Sequence, residues 1–185
     1  MRSIPAALLM STAMLFQQAE AAGGQLTVGD PAPHFTLPGA TKDSLLSSPV
    51  SLSDYAGKAV VILAFYPADW SGGCTKEMCT MRDNFKDLGQ LGATVLGISG
   101  DYVHSHREWA KALDLPFALL SDHDHAVARR YDSYNPDRGY NLRTIYVVDE
   151  TGAIAYVDLA YKPGSSESFD MLRNALKTIR GVRHP

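Results

Sequence analysis

Cysteine is scarce in this chain: two residues in 185, Cys74 and Cys79. Two thiols cannot make the covalent framework of a small disulfide-rich domain, so structural stapling is not their purpose. A basic excess is also missing. Lys and Arg number 17 against 20 Asp and Glu, a net charge of -3, whereas a nucleic-acid surface needs the opposite balance. Glycine (15) and proline (10) are too few for a disordered or fibrous chain. No apolar run reaches the ~20 residues of a membrane helix. Repeats, low-complexity tracts and interior linkers are absent, which argues for one domain and against a collagen, coiled coil or solenoid. Three motifs are missing as well. Without G-x-G-x-x-G there is no dinucleotide loop, and without G-x-S-x-G no hydrolase elbow. The cysteines are five positions apart, not C-x-x-C, which argues against a direct dithiol oxidoreductase.

What is present begins with a distinct N-terminus. Arg2 precedes an apolar run from Ile4 to Phe16, and Ala19-Glu20-Ala21 follows. A short basic start, a 13-residue apolar stretch and an A-x-A pattern read as a secretory leader, residues 1–21, cleaved after Ala21. The domain would then be residues 22–185, exported and periplasmic; without a leader, cytoplasmic. No Cys lies near the cleavage point to take a lipid.

The rest alternates strands and helices. Ala59–Tyr66 is an unbroken apolar run stopped by Pro67, the pattern of a strand covered on both faces. Thr75–Leu88 has helical spacing, with Met78, Met81, Phe85 and Leu88 on one side. Further strands are expected at Thr94–Ser99, Phe117–Leu120 and Thr144–Val148, with helices at Ser105–Leu113, Ala126–Tyr131 and Ser168–Ile179. Asp149–Gly152 makes a turn into a partner strand, Ala153–Leu159. The order predicts an α/β fold, a central mixed sheet flanked by helices on both faces.

The chemistry concentrates at Pro67-Ala-Asp-Trp-Ser-Gly-Gly-Cys74-Thr-Lys-Glu-Met-Cys79. Cys74 falls where a glycine-rich loop becomes a helix. Unpaired N–H groups and the positive end of the helix dipole favour a thiolate there, and the thiolate is the nucleophile. Gly72 and Gly73 let the backbone approach whatever Cys74 attacks. Cys79 either packs in the core or acts with Cys74. On one intact helix the two α-carbons would stand ~8.7 Å apart, beyond the about 4.4–6.8 Å of a disulfide. A bond between them would require the first turns to unwind.

The segment Phe65–Glu77 resembles the Pro-x-x-x-Thr/Ser-x-x-Cys motif of the peroxiredoxins, the alkyl hydroperoxide reductase C and thiol-specific antioxidant family. With Cys79 it is most similar to the bacterioferritin comigratory protein subfamily. The resemblance runs on through Gly97–Asp101, Ser105-His106, Leu115–Phe117, Leu120–Asp122 and Arg143-Thr144. It implies a thioredoxin-like fold and a thiol peroxidase acting on hydrogen peroxide and organic hydroperoxides. It makes Cys74 the peroxidatic cysteine and Cys79 the resolving one. Pro67 would shield the thiolate, Ser71 would stand where most members have Thr, and Arg143 would reach the site from a distant strand. Glu77 could orient Arg143, but reads as an exposed helix residue and stays outside the site set. The implied cycle passes through a sulfenic acid and a Cys74–Cys79 disulfide, regenerated by a thioredoxin-like dithiol reductant. It needs no metal or organic cofactor, no nucleic acid and no membrane once the leader is gone. A monomer or weak homodimer is expected. Trp70 and the segment Asp132–Asn141 depart from the family pattern. The rivals are an exported thiol–disulfide oxidoreductase and a non-enzymatic redox-switched binding module.

Six histidines include the pairs His104-x-His106 and His123-x-His125. No Cys converges with either pair, and caps, turns and surface positions suit them better than a metal. Lys177, Arg180 and Arg183 read as a solvated helix face.

Overall fold

The computed structural model of the protein describes residues 25–183; the expected leader, residues 1–21, lies outside the described residues. The chain enters as an extended segment, because Pro31 and Pro33 and their neighbours are barred from helix. Three two-residue strands follow: β1 (Thr36–Leu37), β2 (Gly39–Ala40) and β3 (Val50–Ser51), then a 3-10 turn at Leu52–Tyr55. Next come β4 (Val60–Phe65), α1 (Gly72–Asp83), α2 (Phe85–Gln90), β5 (Ala93–Ser99), α3 (Val103–Leu113) and β6 (Ala118–Ser121). The chain closes through α4 (Ala126–Arg130), β7 (Tyr134–Asn135), β8 (Tyr140–Asn141), β9 (Thr144–Val148), β10 (Ile154–Asp158) and α5 (Ser166–Arg183). No helix among the described residues is long and apolar enough to cross a membrane.

The main sheet has the order β10-β9-β4-β5-β6-β2. β4, β5 and β6 run parallel, while β9, β10 and β2 join antiparallel. The mixed sheet expected from the sequence is present. β4 is buried at all six residues, as a central strand with both faces covered must be. Its alternate residues feed two cores. Val60, Ile62 and Ala64 pack with Met78, Met81, Leu88, Trp109 and Leu172, from α1, α2, α3 and α5. Val61, Leu63 and Phe65 face Phe35, Leu52, Val127 and Tyr131. The helical cover is therefore unequal. Four helices protect the first face. The second is closed by the proline-bearing entry segment, the 3-10 turn and the five-residue α4.

The helix expected over Thr75–Leu88 differs at both ends. It begins at Gly72 and breaks at Asn84, with α2 continuing from Phe85. The Asn84 side chain donates to the Thr80 carbonyl at 2.8 Å, so its amide competes with the backbone ladder and its own ψ turns to 7°. The Asp149–Gly152 turn forms as expected: Asp149 Oδ1 accepts the Thr151 and Ala153 amides, and Gly152 takes φ +87°. The atypical Asp132–Asn141 stretch contains the antiparallel β7–β8 ribbon.

Candidate active site

The sheet decides which residues meet. β9 runs antiparallel to β4 with Thr144 opposite Phe65, so the start of β9 lies beside the end of β4. The chain leaves β4 through Tyr66–Ser71 into α1, and Arg143 immediately precedes β9. Cys74 and Arg143, far apart in sequence, are thereby delivered to one spot.

Ser71 is the N-cap of α1, and its Oγ accepts the Cys74 N–H at 3.4 Å. The Ser71 carbonyl accepts both the amide and the hydroxyl of Thr75, each at 2.9 Å. Cys74 is thus the third helical residue, inside the first turn rather than before it. The positive end of the helix dipole acts there. A hydroxyl that accepts one bond still has its proton to donate, so Ser71 can serve both the cap and a group beside Cys74. Cys74 is wholly buried, in the core with Met78 and Met81.

The Arg143 guanidinium lies against the first turn of α1, near enough to Cys74 for the two to interact electrostatically. Its Nη1 also donates to Glu77 Oε2 at 2.7 Å. The contact depends on Gly73: a Cβ there would stand 2.7 Å from Arg143 Nη2. Gly72 has open space instead. Gly73 thus makes room for a guanidinium, which the sequence did not reveal.

Glu77 corrects an expectation. It is not an exposed helix residue but fully buried. It follows Cys74 by three, on the face that carries Met78 and Met81, and that spacing was the available signal. The ion pair is asymmetric. Partial burial opposes the charge on Arg143, but Cys74 and Glu77 outweigh it and hold the guanidinium above its usual range. Glu77 has lost all its water. Burial pushes its carboxyl up to about 7, with Arg143 opposing and Asp158 adding to the rise.

Of the residues singled out from sequence, Ser71, Cys74 and Arg143 come together. Pro67 lies two residues beyond the end of β4 and is half-buried. Cys79 is half-buried in the same helix, and both thiols are free. α1 runs unbroken through both, so the pair cannot bond in this conformation.

A further group was legible only in space. Asp69 is buried, and its Oδ2 lies 2.9 Å from His106 Nδ1. Asp69 accepts the Tyr66 hydroxyl at 2.8 Å and the Ser105 hydroxyl at 2.7 Å. Burial first, then Asp69, drives the Tyr66 phenol well up, so it remains a donor. His106 is therefore no cap, turn or surface residue. His125, half-buried in the left-handed region (φ +56°), holds Asn141 Oδ1 at 2.7 Å, and Asn141 donates to the Ile98 carbonyl. His104 and His123 are exposed.

Known proteins resemble this chain in sequence and in fold. Residues 28–157 match the AhpC/TSA family. A putative chloroplastic peroxiredoxin Q of Oryza sativa subsp. indica is 40% identical over 138 residues, 72% of this chain. The chain spans 59% of that relative's length. A putative peroxiredoxin bcp of Coxiella burnetii is 42% identical over 138 residues, covering 71% of this chain and 87% of the relative. Among solved structures, Peroxidoxin BcpB from Mycobacterium tuberculosis superposes with a TM-score of 0.70 at 28% identity, over 85% of this chain and 99% of that one.

Proposed function

The chain belongs to the AhpC/TSA family, and from that premise we propose that it is a thiol-dependent peroxidase with Cys74 as its nucleophile. The carrying observation is the placement of Cys74 in the first turn of α1, which Ser71 caps and against which the Arg143 guanidinium lies at Gly73.

The Cys74 thiolate attacks one oxygen of a hydroperoxide along the O–O axis. The S–O bond forms as the O–O bond breaks, and sulfur is oxidised to a sulfenic acid. The second oxygen leaves with the electron pair, takes a proton, and departs as water or an alcohol. Charge grows on both oxygens as they separate. Arg143, the Ser71 hydroxyl and the first-turn N–H groups are already in place to meet it, which is where preorganised electrostatics act. Pro67, at the mouth of the loop, shields the sulfur. Complete burial of Cys74 favours a slender peroxide over a bulky protein disulfide as the first oxidant.

Cys79 completes the cycle. Its thiolate attacks the Cys74 sulfur and displaces hydroxide, which leaves as water, once the first turns of α1 have unwound. An external thioredoxin-like dithiol then reduces the disulfide. Residues 1–21 direct the protein out of the cytoplasm and are removed after Ala21.

Intact mass spectrometry after one equivalent of hydrogen peroxide tests the reading. The expected product has lost two hydrogens and carries a peptide cross-link between Cys74 and Cys79. A protein that leaves the peroxide unconsumed and both thiols alkylatable overturns it.

A further inference from the structure

The peroxidase reading leaves open what holds the reactive loop, and the inference below rests on that reading. Asp69 ties the β4–α1 loop to the body of the protein. Its carboxylate receives Tyr66, Ser105 and His106, as described above. Its own N–H donates to Asp101 Oδ2 at 2.8 Å, and that carboxylate is held in turn by the Ser99 hydroxyl at 2.9 Å. On the far side of the ring, His106 Nε2 faces the Leu120 carbonyl at 3.2 Å. A carbonyl oxygen only accepts, so Nε2 carries a proton. A second proton must lie between Nδ1 and Asp69, or two acceptors would face each other in a dry interior. The side chains of the pair are 0% and 1% exposed. A buried pair of this kind is poor evidence of extra stability, because dehydration offsets much of the attraction. Specifying a local geometry is the better account of its presence.

The neighbouring residues show which geometry. Trp70 sits at φ +61°, a left-handed conformation costly for a bulky side chain. Its indole N–H donates to Ser105 Oγ at 3.2 Å, the same hydroxyl that donates to Asp69. Ser71 comes next and caps α1. Beyond it Gly72 is unhindered. The loop is thus pinned at Asp69, with Trp70 strained beside it and open space at Gly72.

We propose that the Asp69–His106 pair is the positioning element for Cys74. In the reduced protein it fixes the loop that sets the first turn of α1. When those turns unwind to bring Cys74 to Cys79, it is the stationary pivot. Asp69 and His106 are positioning residues and touch no peroxide. Trp70, strained and tied to the pair through Ser105, is the link that lets go.

Two substitutions separate positioning from bulk stability. In His106→Asn the amide nitrogen can replace Nδ1 as the donor to Asp69. In His106→Gln it reaches toward Leu120 and leaves Asp69 with the Tyr66 and Ser105 hydroxyls alone. Each removes the same buried ring, so the thermal midpoints should fall together. Sulfenic acid formation is measured by stopped-flow fluorescence and diketone trapping in a Cys79→Ser background. The Gln variant is expected to react about tenfold or more slowly, because displacement of a reacting group by ~1 Å can cost that much, while the Asn variant stays close to the parent. Equal rates in the two variants overturn the proposal. Should the Gln variant fail to fold, Ser105→Ala, which removes the shared hydroxyl and leaves the ring buried, is expected to slow the reaction several-fold; a parental rate overturns the proposal. Hydrogen exchange reads the pivot without any chemistry. The Asp69 amide is expected to stay protected in the disulfide form while residues 72–79 open, and to lose protection in His106→Gln. Loss of protection at Asp69 on oxidation, or its retention in His106→Gln, overturns the proposal. A parent protein that forms no sulfenic acid sinks the peroxidase reading alone, and the exchange result still decides the anchor.

Discussion

The α-carbon of Gly73 and the guanidinium of Arg143 occupy space that no other residue type at position 73 would leave: a Cβ would stand 2.7 Å from Nη2. One missing side chain in the loop–helix junction lets a cation from the start of β9 lie against the first turn of α1.

Gly73→Ala should therefore act through Arg143. The methyl group is tolerated by the helix itself, and Ala is the better helix former. The displaced guanidinium no longer meets the leaving oxygen. The second-order rate with hydrogen peroxide is expected to fall about 10²-fold, the scale of losing one preorganised donor, with the thermal midpoint little changed. Stopped-flow kinetics and thermal unfolding of one sample check both halves.

Ser71 serves as a cap and as a hydroxyl donor, and two substitutions divide these roles. Ser71→Ala should cost about 1 kcal/mol of stability for the lost cap, and should also slow peroxide reduction. Ser71→Thr keeps the oxygen and should preserve both. Urea unfolding alongside peroxide kinetics makes the comparison; equal rates in all three proteins would remove Ser71 from the chemistry.

Glu77 predicts a pH dependence of stability with a definite sign. Its carboxyl titrates near 4.5 in the unfolded chain and is pushed up to about 7 in the folded one by burial. Between those values the native state holds a proton that the unfolded state has lost, so this group's contribution falls as pH rises. The penalty is complete above that window and is on the order of 3 kcal/mol. Glu77→Gln removes the titration. The stability of the variant relative to the parent is expected to grow from pH ~5 to pH ~8. A difference that is flat, or that shrinks, means the carboxyl is ionised throughout.

Cys79→Ser should leave the first step intact and stop the cycle. One equivalent of peroxide is expected to be consumed at the parental rate, leaving a stable sulfenic acid at Cys74 and no intramolecular disulfide. Cys74→Ser should consume none. Steady turnover of the Cys79 variant with a thioredoxin-like reductant would remove its resolving role.

Much of the fold could be read from the chain because the signals were local. The apolar run at Ala59–Tyr66 needs both faces covered, and β4 is the centre of the sheet. Asp149 and Gly152 supply their own turn. The break of the helix at Asn84 was missed, since the Met78, Met81, Phe85, Leu88 spacing continues across it while a single side-chain amide interrupts the ladder. The unequal cover of the sheet was missed for a different reason. Extended, proline-bearing chain can bury Phe35 and Leu37 as completely as a helix could, and periodicity does not register it.

The site divides along the same line. Cys74 declared itself in sequence, at the passage from a glycine-rich loop to a helix, and the family motif marked Ser71; that Ser71 caps the helix is a fact of the structure. Long-range neighbours carry no such mark. That Glu77 loses all its water, that Arg143 lies over Gly73, and that His106 is paired with Asp69 instead of facing solvent depend on strand order and on how helices close over one face. A charged side chain has the same composition signal on a surface as in a core. Only the tertiary structure supplies its partner and its dielectric, and these set what its charge can do.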